Sequence, residues 1–389
     1  MKNILKAYFK KTARHLCAGM ILIFCILQTG CWNYRGLDQL GIATGIAVDR
    51  PDPNGPYCIT IEMISTDTGS PAEGVKVIHL EMHGDTIFTA VRNGKRRASN
   101  KLYGGSIRTL IISKQVAQEE GVRDLLEQLY RDVEPRETIS VIISQEDSAR
   151  ELFFVESIDT QIASYELHET VVEDKDTTDS TVDVPLYMTY RLLTEEGCTL
   201  VLPAVHTVRN IDDLINETNG IAYFKGDKLA GYLSPKQTAY FLFMVNKLES
   251  GAFSFSLRDD GSNPISTNVD VTRTNRSVRL EDGRIVFDFS LNFNVGIAEV
   301  KRQVNLEDMD ERNNLEDIIS LRVQENLIES FENMKDTGVD LFGLGHLLYE
   351  SDPDVWFENK DNWDELIQTA VFNPEVRATI RSTGFIQNF

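Results

Sequence analysis

The chain has 389 residues, with 60 Asp or Glu against 39 Lys or Arg and a formal charge of −21 at neutral pH. A body this acidic is repelled by phosphate backbones and anionic lipid headgroups, which excludes nucleic-acid binding and electrostatic adsorption to a membrane. Its hydrophobic fraction of 42% is that of globular protein, and its five cysteines are too few for a disulfide framework.

The N-terminus carries Lys2, Lys6, Lys10, Lys11 and Arg14 ahead of a twelve-residue apolar run, Leu16 to Leu27. That run is too short to span a bilayer, which takes about 20 residues. A basic start, a short apolar core and small residues before a cut mark an export signal. The string Leu27-Gln28-Thr29-Gly30-Cys31 resembles a bacterial lipoprotein signal, although Gln28 stands where Leu is usual. It implies removal of residues 1–30 and a diacylglycerol on Cys31. Removal takes away five positive charges and no negative ones, so −21 becomes −26. Two buried acyl chains then supply the attachment that surface charge cannot. The remaining chain of about 360 residues suggests two or three domains. Beyond Cys31 only Cys58 and Cys198 remain, as one bridge or as two buried thiols.

Leu40–Val48 reads as a buried strand, and Tyr57–Ser65 and Val75–Met82 alternate like two more, the first two joined by a Pro/Asn/Gly turn. Asp85 is placed to cap a helix running to about Ala98. The run Ile107–Ile112, rich in β-branched residues, predicts a central strand, and Ser113 opens a helix that Pro135 stops. Ile139–Ser144 is another buried strand. Between Glu166 and Pro185 six acidic residues sit among Thr and Ser, without the regular offsets or glycine of a calcium loop, which predicts a solvated linker and a domain boundary.

Asn219–Phe224 and Leu229–Leu233 predict a hairpin turning at Lys225-Gly226-Asp227-Lys228. Ser234-Pro235-Lys236-Gln237 is a complete helix start, for a helix expected to end at Gly251. Asn268–Thr274 and Ile285–Val295 read as strands around a turn at Asp282-Gly283. A helix from about Met309 to Lys335 carries Leu315, Ile319, Val323, Leu327 and Phe331 in one row and stops at Gly338. The expected class is α+β in three mixed domains, over 31–185, 186–265 and 266–389.

Strings that carry chemistry are scarce. His79 and His83 are four apart, yet no His-Glu-x-x-His string or third ligand accompanies them. Gly343-Leu344-Gly345 lacks the third glycine of a dinucleotide loop. There is no Gly-x-Ser-x-Gly elbow, P-loop or kinase set. Lys95, Arg96, Arg97, Lys101 and Arg108 stand out from the acidic background, either as a docking patch or as a solvated helix end. No catalytic residue, metal or cofactor is expected.

Several strings in succession resemble the Ger(x)C family, the C subunits of spore germinant receptors. CWNYRGLDQLGIATGIAVD follows directly from Cys31, and KLYGGSIRTLIIS and GVRDLLEQLYRDVEPRETISVII continue the first-domain pattern. NGIAYFKGDKLAGYLSPKQT resembles the middle hairpin and helix, and DLFGLGHLLYESDPDVW with Trp363 resembles the C-terminal signature. Two departures are visible: Gly105-Ser106 where the family often has Gly-His, and Gly36 where an acidic residue often follows the arginine. The resemblance implies a non-enzymatic lipoprotein outside the spore's inner membrane. It implies assembly with an A subunit and a membrane-spanning, transporter-like B subunit in response to nutrients. Trp32, Arg35, Trp356 and Trp363 are candidate partner contacts, since interface centres favour Trp and Arg. The alternative is a solute-binding lipoprotein of an importer, which would show repeated strand-helix-strand units in two lobes, where this chain opens with hairpin-like strands.

Overall fold

A computed structural model describes residues 8, 10–16, 18–20, 36, 39–65, 75–131, 134–248, 250–257, 264–300 and 305–382. Cys31, Trp32 and Arg35 lie outside the described residues. In a first unit, ending at Leu40, residues 10–16 and 18–20 are helical. Among the described residues no helix is long and apolar enough to cross a membrane. The second unit is Gly41–Phe389 and holds both sheets and the helices packed on them.

The first sheet begins with β1 (Leu40–Asp49), β2 (Tyr57–Ile64) and β3 (Val77–Gly84), an antiparallel meander with Ile46 opposite Ile61 and Ile61 opposite Leu80. Helix α1 (Ile87–Gly94) follows; its cap is Thr86, whose hydroxyl accepts from Thr89 N in a capping box, one residue beyond the expected Asp85. After the short β4 (Lys101–Tyr103), β5 (Thr109–Ser113) is buried at every position. Ser113 caps α2 (Lys114–Glu119) as expected. The single helix expected up to Pro135 is two, because Gly121 adopts φ 89°, a left-handed conformation that breaks the turn before α3 (Arg123–Arg131). Strand β6 (Ser140–Ser144) lies parallel to β5, and β5 parallel to β1. A 3₁₀ turn (Ala149–Phe153) leads to α4 (Ala163–Thr177) and α5 (Leu186–Thr194). Then β7 (Val201–Asn210) pairs parallel to β6, and β8 (Asp213–Lys225) and β9 (Lys228–Leu233) close the edge with the expected hairpin. The order is β3-β2-β1-β5-β6-β7-β8-β9, with β4 on β1.

Helix α4 corrects one expectation. The acidic stretch is no linker: Ala163, Leu167 and Val171, spaced four apart, are buried against Ala47, Ile111, Ile142 and Val205 on one face of the sheet. Three apolar side chains on one stripe suffice for an amphipathic helix, and acids such as Glu169 and Glu173 occupy its outer face. The chain after it is also packed, with Val184 and Leu186 buried. The opposite face of the sheet is covered by α1, α2, α3 and α5 through residues such as Ala90, Val116, Leu126 and Leu186. The division expected at residue 185 thus falls inside one sheet, because β7 pairs directly with β6.

Helix α6 (Pro235–Met244) starts on the Ser234 capping box and ends earlier than expected, since Gly251 belongs to β10 (Ser250–Ser256). The second sheet continues with β11 (Pro264–Glu281) and β12 (Arg284–Val300), turning at Asp282-Gly283, both longer than read from sequence. Helix α7 (Met309–Thr337) follows the expected span and stops at Gly338. Its row Leu315, Ile319, Val323, Leu327 and Phe331 is 4% exposed or less and packs on alternate residues of β12, Phe287 to Val295. Helices α8 (Leu344–Ser351), α9 (Pro353–Asn359) and α10 (Trp363–Gln368) complete the crossover to β13 (Val371–Ser382), parallel to β12. Strand β13 had no reading from sequence; its Phe372 stacks on Phe331 at 4.7 Å. The class is α+β.

Candidate functional site

The C-terminal string Asp340–Trp356 meets the first sheet at one loop, Glu195–Leu200, between α5 and β7. Gly197 has φ 69°, and a Cβ there would collide with the backbone of Gly345 and His346, so only glycine permits this approach. Thr199 Oγ1 donates to Asp340 O at 2.6 Å. Glu196 accepts from the Trp356 indole at 3.0 Å and pairs with Lys360 at 3.3 Å. These contacts, the Trp356 hydrogen bond foremost, lower the Glu196 pKa.

Asp340 organises the other side. It is 8% exposed, and its carboxylate accepts from Leu344 N at 2.9 Å, Gly345 N at 2.7 Å and the Trp363 indole at 3.0 Å. It therefore satisfies the first N–H groups of α8, which Gly343 as cap residue cannot. Burial raises its pKa against the pull of those donors and of Arg276. Arg276, from β11, reaches across with Nη1 to Val245 O at 3.5 Å and Nη2 to Phe342 O. Its Nε–H has no hydrogen-bond partner among the described residues, and burial lowers its pKa to about 10 despite the nearby charges of Asp340 and Glu350. Trp356 and Trp363 are 5% and 7% exposed and lie edge to face at 5.1 Å, so neither ring offers a partner surface. The expectation of partner contact gives way for these two residues to core packing, with the Trp363 N–H on buried Asp340 and the Trp356 N–H on the half-exposed Glu196. Gly345 is glycine because the Trp356 ring would lie 2.7 Å from a Cβ. The Gly-Leu-Gly string is thus a packing device.

Between this junction and the flank of the first sheet lies a cavity of about 410 Å³, lined by residues including Met188, Cys198, Phe241, Arg276, Phe342 and His346. Cys198 is half-buried and unbridged among the described residues, its thiol pushed up to about 12 by burial and by Glu195. A ring nitrogen of His346, the Cys198 sulfur and a Glu195 carboxylate oxygen lie within 4.8 Å of one another. Cys58, Glu81 and His83 make a second such group. His79 and His83 do not converge: His79 faces Glu62 at 3.9 Å and lies tilted against the Phe154 ring at 4.6 Å, while His83 pairs with Glu81 at 2.8 Å.

Glu62 is 1% exposed and caps α4 from β2, accepting from Ala163 N at 3.0 Å, Ser164 N at 3.1 Å, Thr44 Oγ1 at 2.7 Å and the Ser164 hydroxyl. Burial works to raise its pKa, but His79 and the hydroxyl and amide donors together lower it. Asp49 likewise takes Ala149 N at 2.7 Å and Ser148 Oγ at 3.0 Å at the 3₁₀ turn, with burial raising its pKa. The basic cluster is exposed but partly engaged, Arg97 with Glu81 O at 2.8 Å, Lys101 with Glu134 at 3.0 Å and Arg108 over the Tyr165 ring. Sequence reasoning missed Glu196, Arg276 and Asp340, whose only signal was the C-terminal string around the last of them.

Two family profiles match the chain: the spore germination protein N-terminal domain over residues 33–207, and the spore germination B3/GerAC-like C-terminal domain over 219–384. Spore germination protein KC of Bacillus subtilis is 21% identical, over 96% of this chain and 97% of that protein. Spore germination protein B3 of the same organism is 21% identical over 94% and 96%. GerQC of Bacillus cereus is 22% identical over 94% and 98%. The crystal structure of the GerBC protein shares the fold, with a TM-score of 0.54 at 16% identity over 89% of this chain and 99% of that one. With both domain profiles matched in order along nearly the whole chain, it belongs to the Ger(x)C family of spore germination proteins.

Proposed function

We propose that this chain is the lipid-anchored, non-catalytic C subunit of a nutrient germinant receptor on the outer face of the spore's inner membrane. It acts there with the A and B membrane subunits. The observation that carries the reading is the pair of family profiles following directly on Cys31, the end of an export signal. The geometry supports a binding and scaffolding role, because Glu62 and Asp340, two of its most enclosed carboxylates, are each engaged by three or more donors as helix caps. Such a subunit works by binding and by biasing the receptor between states.

Deleting the gene should abolish the response to one set of nutrients and leave non-nutrient germination intact, with the A and B subunits recovered by co-purification from spore membranes. Cys31→Ala should release the protein to the soluble fraction or leave its signal uncleaved. A purified chain that binds a transport solute tightly, in a strain whose deletion germinates normally, would establish the solute-binding alternative instead.

A further inference from the structure

We propose that Glu195, Cys198 and His346, with Glu350 beside the histidine, form a three-ligand binding site for a divalent cation of the zinc(II) class that ties the loop after α5 to helix α8. The inference is independent of the germination reading and rests on how the donor atoms converge.

The ring of His346 is set by its Nδ1, which lies 3.0 Å from the Glu196 carbonyl oxygen. A carbonyl only accepts, so the proton sits on Nδ1 and the Nε2 lone pair is left pointing away. This is the arrangement that orients metal-binding histidines. Nε2 then faces Glu350 Oε1 at 3.5 Å. In a neutral ring those are two acceptors turned toward each other, an arrangement that a proton or a bound cation between them relieves. His346 and Glu350 share one face of α8 by their spacing of four. From the opposite side the loop supplies Cys198 Sγ, 3.8 Å from Glu195 Oε2. A tetrahedral zinc with bonds of about 2.0–2.3 Å holds its donors about 3.4–3.6 Å apart. The 3.8 Å separation of Cys198 from Glu195 is close to that edge, and the three donor atoms, all within 4.8 Å of one another, reach it by a contraction of about 1 Å or less.

The chemistry of the set selects the ion. A thiolate and an imidazole with carboxylate oxygens suit zinc, whereas calcium and magnesium take oxygen ligands. The site is reachable, since it lines the cavity between the junction and the first sheet. Binding converts the Cys198 thiol to thiolate, with one proton released to solvent and no change of oxidation state. Arg191 is the competing cation, but it touches Glu195 only at 3.7 Å on a side chain 58% exposed, and it can turn to water. The second group, Cys58, Glu81 and His83, is a weaker candidate because the Arg150 guanidinium already sits on Glu81.

The test uses the full chain in detergent, stripped with a chelator and titrated with zinc(II) against a chromophoric competitor, then with cobalt(II) to read the ligands. The expected result is one zinc per chain and a cobalt–thiolate charge-transfer band. Both should be lost in Cys198→Ser, the affinity should fall at least about tenfold in His346→Gln, and both should persist in Cys58→Ser. Circular dichroism of the metal-free variants should match the parent. No stoichiometric binding, a cobalt spectrum without the thiolate band, or a band that survives Cys198→Ser would each overturn the proposal.

Discussion

Replacing Asp340 with alanine should loosen the whole C-terminal junction. The carboxylate is the acceptor for two backbone N–H groups at the start of α8 and for the indole of Trp363, at 2.9, 2.7 and 3.0 Å. A buried donor left without a partner costs about 1–3 kcal/mol, so three such donors set an upper range of about 3–9 kcal/mol. Part of that is offset, because burial had already raised the Asp340 pKa and the mutation removes that unfavourable charge. Arg276 works the other way, since it loses a stabilising negative charge while remaining enclosed. With the offset taken, the expected net loss falls in the lower half of that range, at about 4 kcal/mol. Against a total stability of about 5–15 kcal/mol that is a large fraction. The assay is urea unfolding followed by tryptophan fluorescence, which reports on Trp356 and Trp363 at the junction itself. The midpoint should fall by more than about 1 M at unchanged slope. Asp340→Asn keeps the shape and one acceptor but turns a donor toward the α8 amides, and should fall between the two. A midpoint shift for Asp340→Ala worth less than about 1 kcal/mol would refute the assignment of Asp340 as the organising acceptor.

Glu62 has a lowered pKa, so its contribution is present above its unfolded value of 4.5 and is lost as pH falls through the folded value; Glu62→Gln should flatten the acid limb of a stability–pH profile below about pH 5. Asp340 has the opposite sign, and the fold gains from its protonation as pH falls from the raised value toward 3.8, so Asp340→Asn should steepen acid unfolding. Gly345→Ala sets a methyl 2.7 Å from the Trp356 ring and should cost about 1–3 kcal/mol in the same fluorescence assay, with a red shift in emission. Leu167→Ala should cost about 2–5 kcal/mol by calorimetry, because the side chain is 1% exposed beneath α4; a cost under about 0.5 kcal/mol would show that α4 is not part of the core.

Much of the fold was legible because its elements announce themselves locally. The α7 row repeats every four residues, Ser234 and Gln237 form a capping box, and four of the six residues Ile107–Ile112 are β-branched. What escaped was decided at long range. Helix α4 buries only a thin stripe, so its acidic surface dominated the local composition. Strand β13 contains Pro374 and two arginines and reads as a loop, yet β12 supplies a partner for each residue from Val371 to Ile380. The junction was least visible of all. Glu196, Arg276, Asp340 and Trp356 come from a loop, a strand, a turn and a helix, with as many as 160 residues between partners. The string expected to end an export signal at Cys31 and the family strings, by contrast, are contiguous, and contiguous information is what a sequence displays.

The acidic composition has a structural side that net charge conceals. A helix N-terminus exposes N–H groups that apolar packing cannot satisfy, and a carboxylate delivered from another element satisfies them with direction as well as strength. This chain uses that device on both sheets. Asp49 at the end of β1 holds the 3₁₀ turn 100 residues later, and Glu62 on β2 holds the start of α4 at a similar remove. Asp340 holds α8 while its own carbonyl receives Thr199 from the first sheet's side. Hydrophobic contacts bring these layers together but leave them free to slide, since burial is nearly indifferent to register. Directed carboxylates fix which turn of which helix meets which strand. A subunit of the proposed kind, transmitting a bias between partners, needs that fixed geometry, because a sliding interface would dissipate a displacement rather than pass it on.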